Sequence, residues 1–188
     1  MSQLAQQTLS QLAVSQLVIV DMQTKLVNVM PAEAMQSTIK NCSILTQAAL
    51  LLNVPIIATE QYPQGLGATL PEIQQHFAHF KPLAKTAFSA SGEAKFNQRL
   101  HRDQSQIVLA GMEAHICILQ TALSLKQMGK QVFVVEDAII SRNAVNKTNA
   151  LARLREAGCV ITNIESVLFE WLGNADHPAF KEVSKLIR

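Results

Sequence analysis

The chain has 188 residues, is 48% hydrophobic and carries 16 Lys and Arg against 14 Asp and Glu; that length can bury one sizeable core, so a single domain over 1–188 is expected. A net charge of +2 with no run of Lys or Arg gives no reason to expect a nucleic-acid or membrane-surface partner, and no apolar run reaches the roughly 18 to 20 residues that cross a bilayer. Three cysteines, Cys42, Cys117 and Cys159, are an odd number without paired metal-ligand spacing, which argues against a disulfide framework or a zinc cluster.

The N-terminal stretch is polar and Gln-rich and lacks the basic start and apolar core of a signal peptide. It reads as a peripheral segment, 1–14, of a soluble cytoplasmic protein. Short apolar, β-branched runs then alternate with helical ones. LVIVD at 17–21 is the first predicted strand, followed by a helix over 32–53 and a second strand, PIIATE, at 55–60. Residues 61–81 form a long connection, the kind of segment that tends to line sites. PLAKTAF at 82–88 is the third strand, before a helix over 92–102. IVLAG at 107–111 is the fourth, with a helix over 115–128, and QVFVVED at 131–137 the fifth, with a helix over 146–157. CVITNI at 159–164 completes the six, and helices over 165–172 and 179–187 end the chain. Gly129 and Gly158 stand where helix C-caps belong. The alternation predicts an α/β fold: a three-layer sandwich around a mostly parallel sheet.

In such sheets ligands gather at the carboxyl ends of the strands. Asp21 closes the first strand, Lys85 interrupts an otherwise apolar third, and Cys117 follows the fourth, where a strand-like run gives way to a helical one. In a first helical turn, unpaired amides and the helix dipole stabilise a thiolate and can bind an oxyanion. Asp21 could accept the thiol proton, and Lys85 could hold both charges together and depress the thiol pKa. The bland reading gives a core thiol, a strand-end acid and a snorkelling lysine, although a lysine between Ala84 and Phe88 is costly to bury without a partner. Cys42 and Cys159 read as core. Asp137 and Arg142 read as a structural pair or cap that supports the sheet, and Ser141 as a turn residue. Gln23, Glu60, Gln61, Tyr62, Phe88 and Met112 are candidate pocket lining. Tyr62 and Trp171 are equally candidates for an interface, and His76 and His79 read as solvent-facing rather than as metal ligands.

VDMQ at 20–23, KTAFSA at 85–90, GMEAHICILQTAL at 111–123 and VVEDAIISR at 134–142 together resemble the isochorismatase-like cysteine hydrolases. TEQYPQGLG at 59–67, PLAKTAFS at 82–89 and HPAFKEVSKLI at 177–187 resemble the subgroup called isochorismatase domain-containing proteins. The resemblance implies a Rossmann-like six-stranded sheet of order 3-2-1-4-5-6. It implies Asp21 as general base, Lys85 as charge partner and Cys117 as nucleophile. It also implies a cis bond between Met112 and Glu113, with the Glu113 and Cys117 amides forming an oxyanion hole. The chemistry would be attack by Cys117 on a carbonyl or imine carbon, loss of amine or ammonia, and thioester hydrolysis by water that Asp21 activates. Nicotinamidases hold a metal through an Asp-x-His motif after the second strand, where this chain has TEQYPQ, so neither metal nor other cofactor is expected. Glu113 differs from the small residue of many relatives, and it would either bind a cationic or amide group of the ligand or point outward.

Three readings of function stand: hydrolysis of a small amide or related C–N bond through Cys117, vinyl-ether hydrolysis that needs Asp21 but not the thiol, and a non-catalytic binding protein. Relatives of this kind associate into dimers or larger rings, which implies a homo-oligomer. The apolar run Val167, Leu168, Phe169, Trp171 and Leu172 could supply the contact, with core packing as the rival account.

Overall fold

Two of the predicted runs are buried along their whole length. β1 (Ser15–Val20) and β4 (Gln106–Met112) have no exposed position, as expected of central strands covered on both faces, which read as near-continuous apolar runs, here after Ser15, Gln16 and Gln106 at their starts, rather than alternating. Around them lie β2 (Ile56–Gln61), β3 (Leu83–Lys85), β5 (Gln131–Ile140) and β6 (Val160–Thr162). The structure is a computed structural model that describes residues 8–77 and 81–188. Its strands form one sheet in the order β3-β2-β1-β4-β5-β6, every neighbouring pair parallel. This is the expected six-stranded α/β arrangement.

Helices cover both faces: α1 (Ala32–Leu51), α2 (Ala94–Arg99), α3 (Leu119–Gln127), α4 (Ala144–Glu156), α5 (Ile164–Leu172) and α6 (Phe180–Lys185). One core layer joins Leu17, Ile19 and Phe133 of the sheet to Cys42 and Leu45 of α1 and Val167 and Trp171 of α5. The other joins Val18, Val20 and Val134 to Leu119 and Leu125 of α3 and Leu151 and Leu154 of α4. Asn143 and Asn163 cap α4 and α5, their side-chain oxygens each accepting from a backbone amide at 2.9 Å.

Element ends depart from expectation for local reasons. β3 stops at Lys85 because the next two amides, of Thr86 and Ala87, donate to the Glu93 carboxylate at 2.9 and 3.1 Å and leave the ladder. β5 extends to Ile140 through a shift in register: Leu109 pairs with Val134, but Gly111 pairs with Ile139. The connection over 61–81 contains short helical turns, Pro63–Leu66 and Pro71–Gln74, each opened by a proline whose missing N–H is no loss there. Another, Thr24–Val27, follows β1.

Of the segment expected to be peripheral, residues 1–7 lie outside the described ones. Residues beyond them are anchored: the Ser10 amide and hydroxyl donate to Glu170 at 2.7 and 2.8 Å, and the Gln11 amide donates to Gln106 at 2.6 Å. The apolar C-terminal run is core. Val167, Leu168, Trp171 and Leu172 are buried, while Phe169 is 41% exposed, its ring meeting Phe180 edge-on at 6.2 Å. Trp171 Nε1 donates to Ser15 Oγ at 3.1 Å, so this ring packs inside the subunit rather than standing ready at an interface. Among the described residues no helix is long and apolar enough to cross a membrane.

Candidate active site

Chain order reverses between β1 and β4, and at such a switch the connections leave in opposite directions and open a crevice at the carboxyl ends. Register puts the candidate residues at that crevice: Val20 lies opposite both Thr59 and Gly111, and Gln61 lies opposite Lys85. Gly111 permits the approach. Its φ is +120°, and a Cβ there would fall 2.1 Å from the Val20 carbonyl oxygen, a clash no side chain tolerates. Asp21 follows β1 in a left-handed turn, φ 51°, a conformation Asp tolerates better than most residues.

Lys85 is 3% exposed, and its ammonium is surrounded by acceptors. Nζ stands 2.8 Å from Asp21 Oδ2 and 3.6 Å from Cys117 Sγ. It also donates to Gln61 Oε1 and to the carbonyls of Ala87 and Phe88, each at 3.2 Å. Such crowding offsets the cost of burying an ammonium. Asp21 is fully buried; Thr59 Oγ1 donates to its Oδ1 at 2.7 Å. Oδ2 faces the ammonium without a well-aligned hydrogen bond, which leaves it a lone pair for a proton.

Cys117 lies in a π-helical turn, Ala114–Ile118, that precedes α3, rather than in the first α-helical turn. It is 7% exposed. Burial, and then the Asp21 carboxylate through its charge and as a hydrogen-bond acceptor, push the thiol up to about 12, against an opposing pull from Lys85. This corrects the expected depression of the thiol pKa: the ammonium's charge is already engaged by Asp21, and desolvation dominates. The balance of these influences favours the neutral thiol over the thiolate.

The Met112–Glu113 peptide bond is cis. The Glu113 carboxylate neither points outward nor faces the ligand space unpaired. Arg142 donates to it from its amide at 2.9 Å, from Nε to both oxygens at 3.1 Å, and from Nη2. Burial acts to raise the Glu113 carboxyl, and the Arg142 bonds and charge outweigh it, so the carboxyl ends below its ordinary range. The expected Asp137–Arg142 pair is therefore replaced: Asp137 Oδ1 instead accepts from the Ile164 amide at 3.0 Å. Ser141, expected only to turn the chain, is buried and bonded to His115 Nδ1 at 2.9 Å.

These groups border a cavity of about 210 Å³, with Asp21, Gln61, Glu113, Cys117 and Arg142 as its polar lining and Leu26, Leu66, Phe88, Met112 and Ile116 as its apolar walls. Of the lining proposed from sequence, Gln61, Phe88 and Met112 are there; Gln23, Glu60 and Tyr62 are not. Gln23 is fully buried and bonds the Gln61 amide and the carbonyls of Gln61 and Gly67, so it fixes Gln61 from behind. Glu60 accepts from the amide and hydroxyl of Thr69, both at 2.7 Å. Tyr62, 55% exposed, borders a separate surface hollow with Pro63, Thr86 and Glu93. His76 bonds Ser43 at 2.8 Å, and His79 lies outside the described residues. Sequence reading missed Thr59, Arg142 as a cavity residue, and Leu26, Leu66 and Ile116. Thr59 had a signal, a hydroxyl at the end of an apolar strand; the three aliphatic residues had none.

The comparisons with known proteins agree with this geometry. The isochorismatase domain model matches residues 15–166. Isochorismatase domain-containing protein 2 of Bos taurus is 38% identical over 174 residues, covering 93% of this chain and 83% of that protein. A Caenorhabditis elegans structure described as MAR1 ribonuclease superposes with a TM-score of 0.89 at 35% identity, covering 95% of this chain and 91% of that one. The Escherichia coli YcaC structure, described as an octameric hydrolase of unknown specificity, shares the fold at a TM-score of 0.87 and 22% identity, over 95% and 89% of the two chains. With its sheet order, its strand-end residues and these matches, the chain belongs to the isochorismatase family and has that family's hydrolase fold.

Proposed function

We propose that the chain hydrolyses a C–N bond of a small amide, with Cys117 as nucleophile, Asp21 as general base and Lys85 as their charge partner. The observation that carries this reading is the clustering of the three side chains, with Lys85 Nζ 2.8 Å from Asp21 Oδ2 and 3.6 Å from Cys117 Sγ, at a cavity that Asp21 and Cys117 line. Because the resting group is a thiol, attack is coupled to proton transfer: Sγ bonds the carbonyl carbon as its proton passes to Asp21 Oδ2. The oxyanion forms against the Glu113 and Cys117 amides. The C–N bond then breaks, Asp21 returns the proton to nitrogen, and ammonia leaves. Water adds to the thioester while its proton passes to Asp21. Rupture of the C–S bond frees the acid, and the proton returns to sulfur.

Vinyl-ether hydrolysis is less well supported, since it needs Asp21 to bring its own proton, whereas the cysteine route supplies one from the thiol and the neighbouring Thr59 and Lys85 are themselves donors. The C. elegans relative's description as a ribonuclease makes RNA a needed control, although among the described residues Arg142 is the one cation on the cavity lining. Self-association remains part of the proposal, as does a small-molecule partner. Ammonia release from a panel of primary amides, with RNA cleavage assayed in parallel, tests the reading. Cys117→Ala and Asp21→Asn should each lose at least about 10³-fold in rate. Retention of activity by Cys117→Ala would overturn it in favour of the acid mechanism.

A further inference from the structure

We infer, building on the hydrolase reading above, that the substrate of this cavity is an uncharged amide with a small apolar acyl group. Every formal charge on the cavity lining has a partner within the protein. Asp21 meets Lys85 at 2.8 Å, and both oxygens of Glu113 accept from Arg142. Gln61 is also committed at both ends of its amide, accepting from Lys85 and donating to the Thr86 carbonyl at 2.8 Å. A charged ligand would have to shed water beside the buried Asp21–Lys85 pair or compete with Glu113 for the half-exposed Arg142, and neither repays its desolvation.

The rest of the lining favours an apolar occupant. Leu26, Leu66, Phe88, Met112 and Ile116 face the space, and Phe88, though part of this wall, is 55% exposed. An acyl group resting on that ring would cover apolar surface that water now touches. Size points the same way. The volume of about 210 Å³ equals the liquid share of roughly seven waters and falls below the ~300 Å³ at which drug-sized sites begin. With the carbonyl carbon directed to Cys117, the part of the acyl group that the cavity takes in is therefore only a few carbons.

Aldehydes test this without requiring turnover. A thiol adds reversibly to an aldehyde, with sulfur bonding the carbonyl carbon and the thiol proton ending on oxygen, and the adduct blocks alkylation of Cys117. Protection of Cys117 from iodoacetamide would be measured by mass spectrometry with 3-methylbutanal, anionic succinic semialdehyde and cationic aminoacetaldehyde. Ammonia release would be followed from 3-methylbutanamide, succinamic acid and glycinamide. Protection by 3-methylbutanal at concentrations at least about tenfold below either charged aldehyde is expected, and Phe88→Lys should narrow the gap to the anionic one. Equal or better protection by a charged aldehyde overturns the inference, whether or not amides are cleaved. Selective protection by 3-methylbutanal with no amide cleaved upholds the preference of the cavity while overturning the hydrolase reading. Protection by none of them overturns the inference, and only the absence of ammonia release as well overturns the hydrolase reading.

Discussion

A thiol pushed up to about 12 by burial and by Asp21 changes what Cys117 has to be given. A preformed thiolate would need only access, whereas a neutral thiol needs a base at the moment of attack, and Asp21 Oδ2 retains the lone pair for it. Asp21 raises the thiol pKa and Lys85 lowers it, so their removal should act in opposite directions. Iodoacetamide labelling of Cys117, followed by mass spectrometry, should keep rising with pH well past the ~8.5 of a free thiol. Asp21→Asn should speed labelling at pH 8 by about tenfold, and Lys85→Met should slow it. A plateau below pH 8 in the wild type would restore the thiolate reading. Asp21, Lys85 and Cys117 were legible in the sequence because each is a polar or reactive group closing, interrupting or following an apolar strand. The ionisation of Cys117 was not, since desolvation belongs to the assembled layers and not to any neighbour along the chain.

At the level of elements, the π-helical turn and the end of β5 are held together by two side-chain contacts, Glu113 with Arg142 and His115 with Ser141. The first has a defined pH dependence. The folded state holds the Glu113 carboxyl below its ordinary range, so the pair contributes stability above an unfolded value of about 4.3, and that contribution is lost as pH falls through the lower folded value. Glu113→Gln should therefore destabilise the protein at pH 7 by about 1 to 2 kcal/mol, moderated because the Arg142 side chain is 52% exposed. In urea titrations the difference from wild type should shrink as pH drops below 4; a difference that stays constant would show that the charge is irrelevant. Strand and helix order was readable from the apolar runs. The pairing of Glu113 with Arg142 was not, because the two lie 29 positions apart on different elements. Leu26 and Leu66 escaped notice for a similar reason, since each sits in a four-residue helical turn too short to leave a periodic signal.

Across the whole molecule, the sheet couples the two helical layers through the alternation of single strands. In β1, Leu17 and Ile19 pack into one core while Val18 and Val20 pack into the other. Neither layer can open without exposing the reverse face of a strand that the other layer needs, so one cooperative unit is expected. The protein carries its own reporters. Trp171, the only tryptophan, and Cys42 belong to the first core; Cys159 belongs to the second, with Cys117. In a urea series, Trp171 emission, far-UV circular dichroism and pulse alkylation of Cys42 and Cys159 should share one midpoint. If the chain self-associates, that midpoint should rise with protein concentration while the probes still coincide. Alkylation of Cys159 at urea concentrations where Trp171 emission and Cys42 stay native would mean that the α3 and α4 layer opens alone. The carboxyl-end crevice would then lose its Cys117 side before its Asp21 side, and the pairing of the proposed nucleophile with the proposed base would depend on a local equilibrium instead of on the fold as a whole.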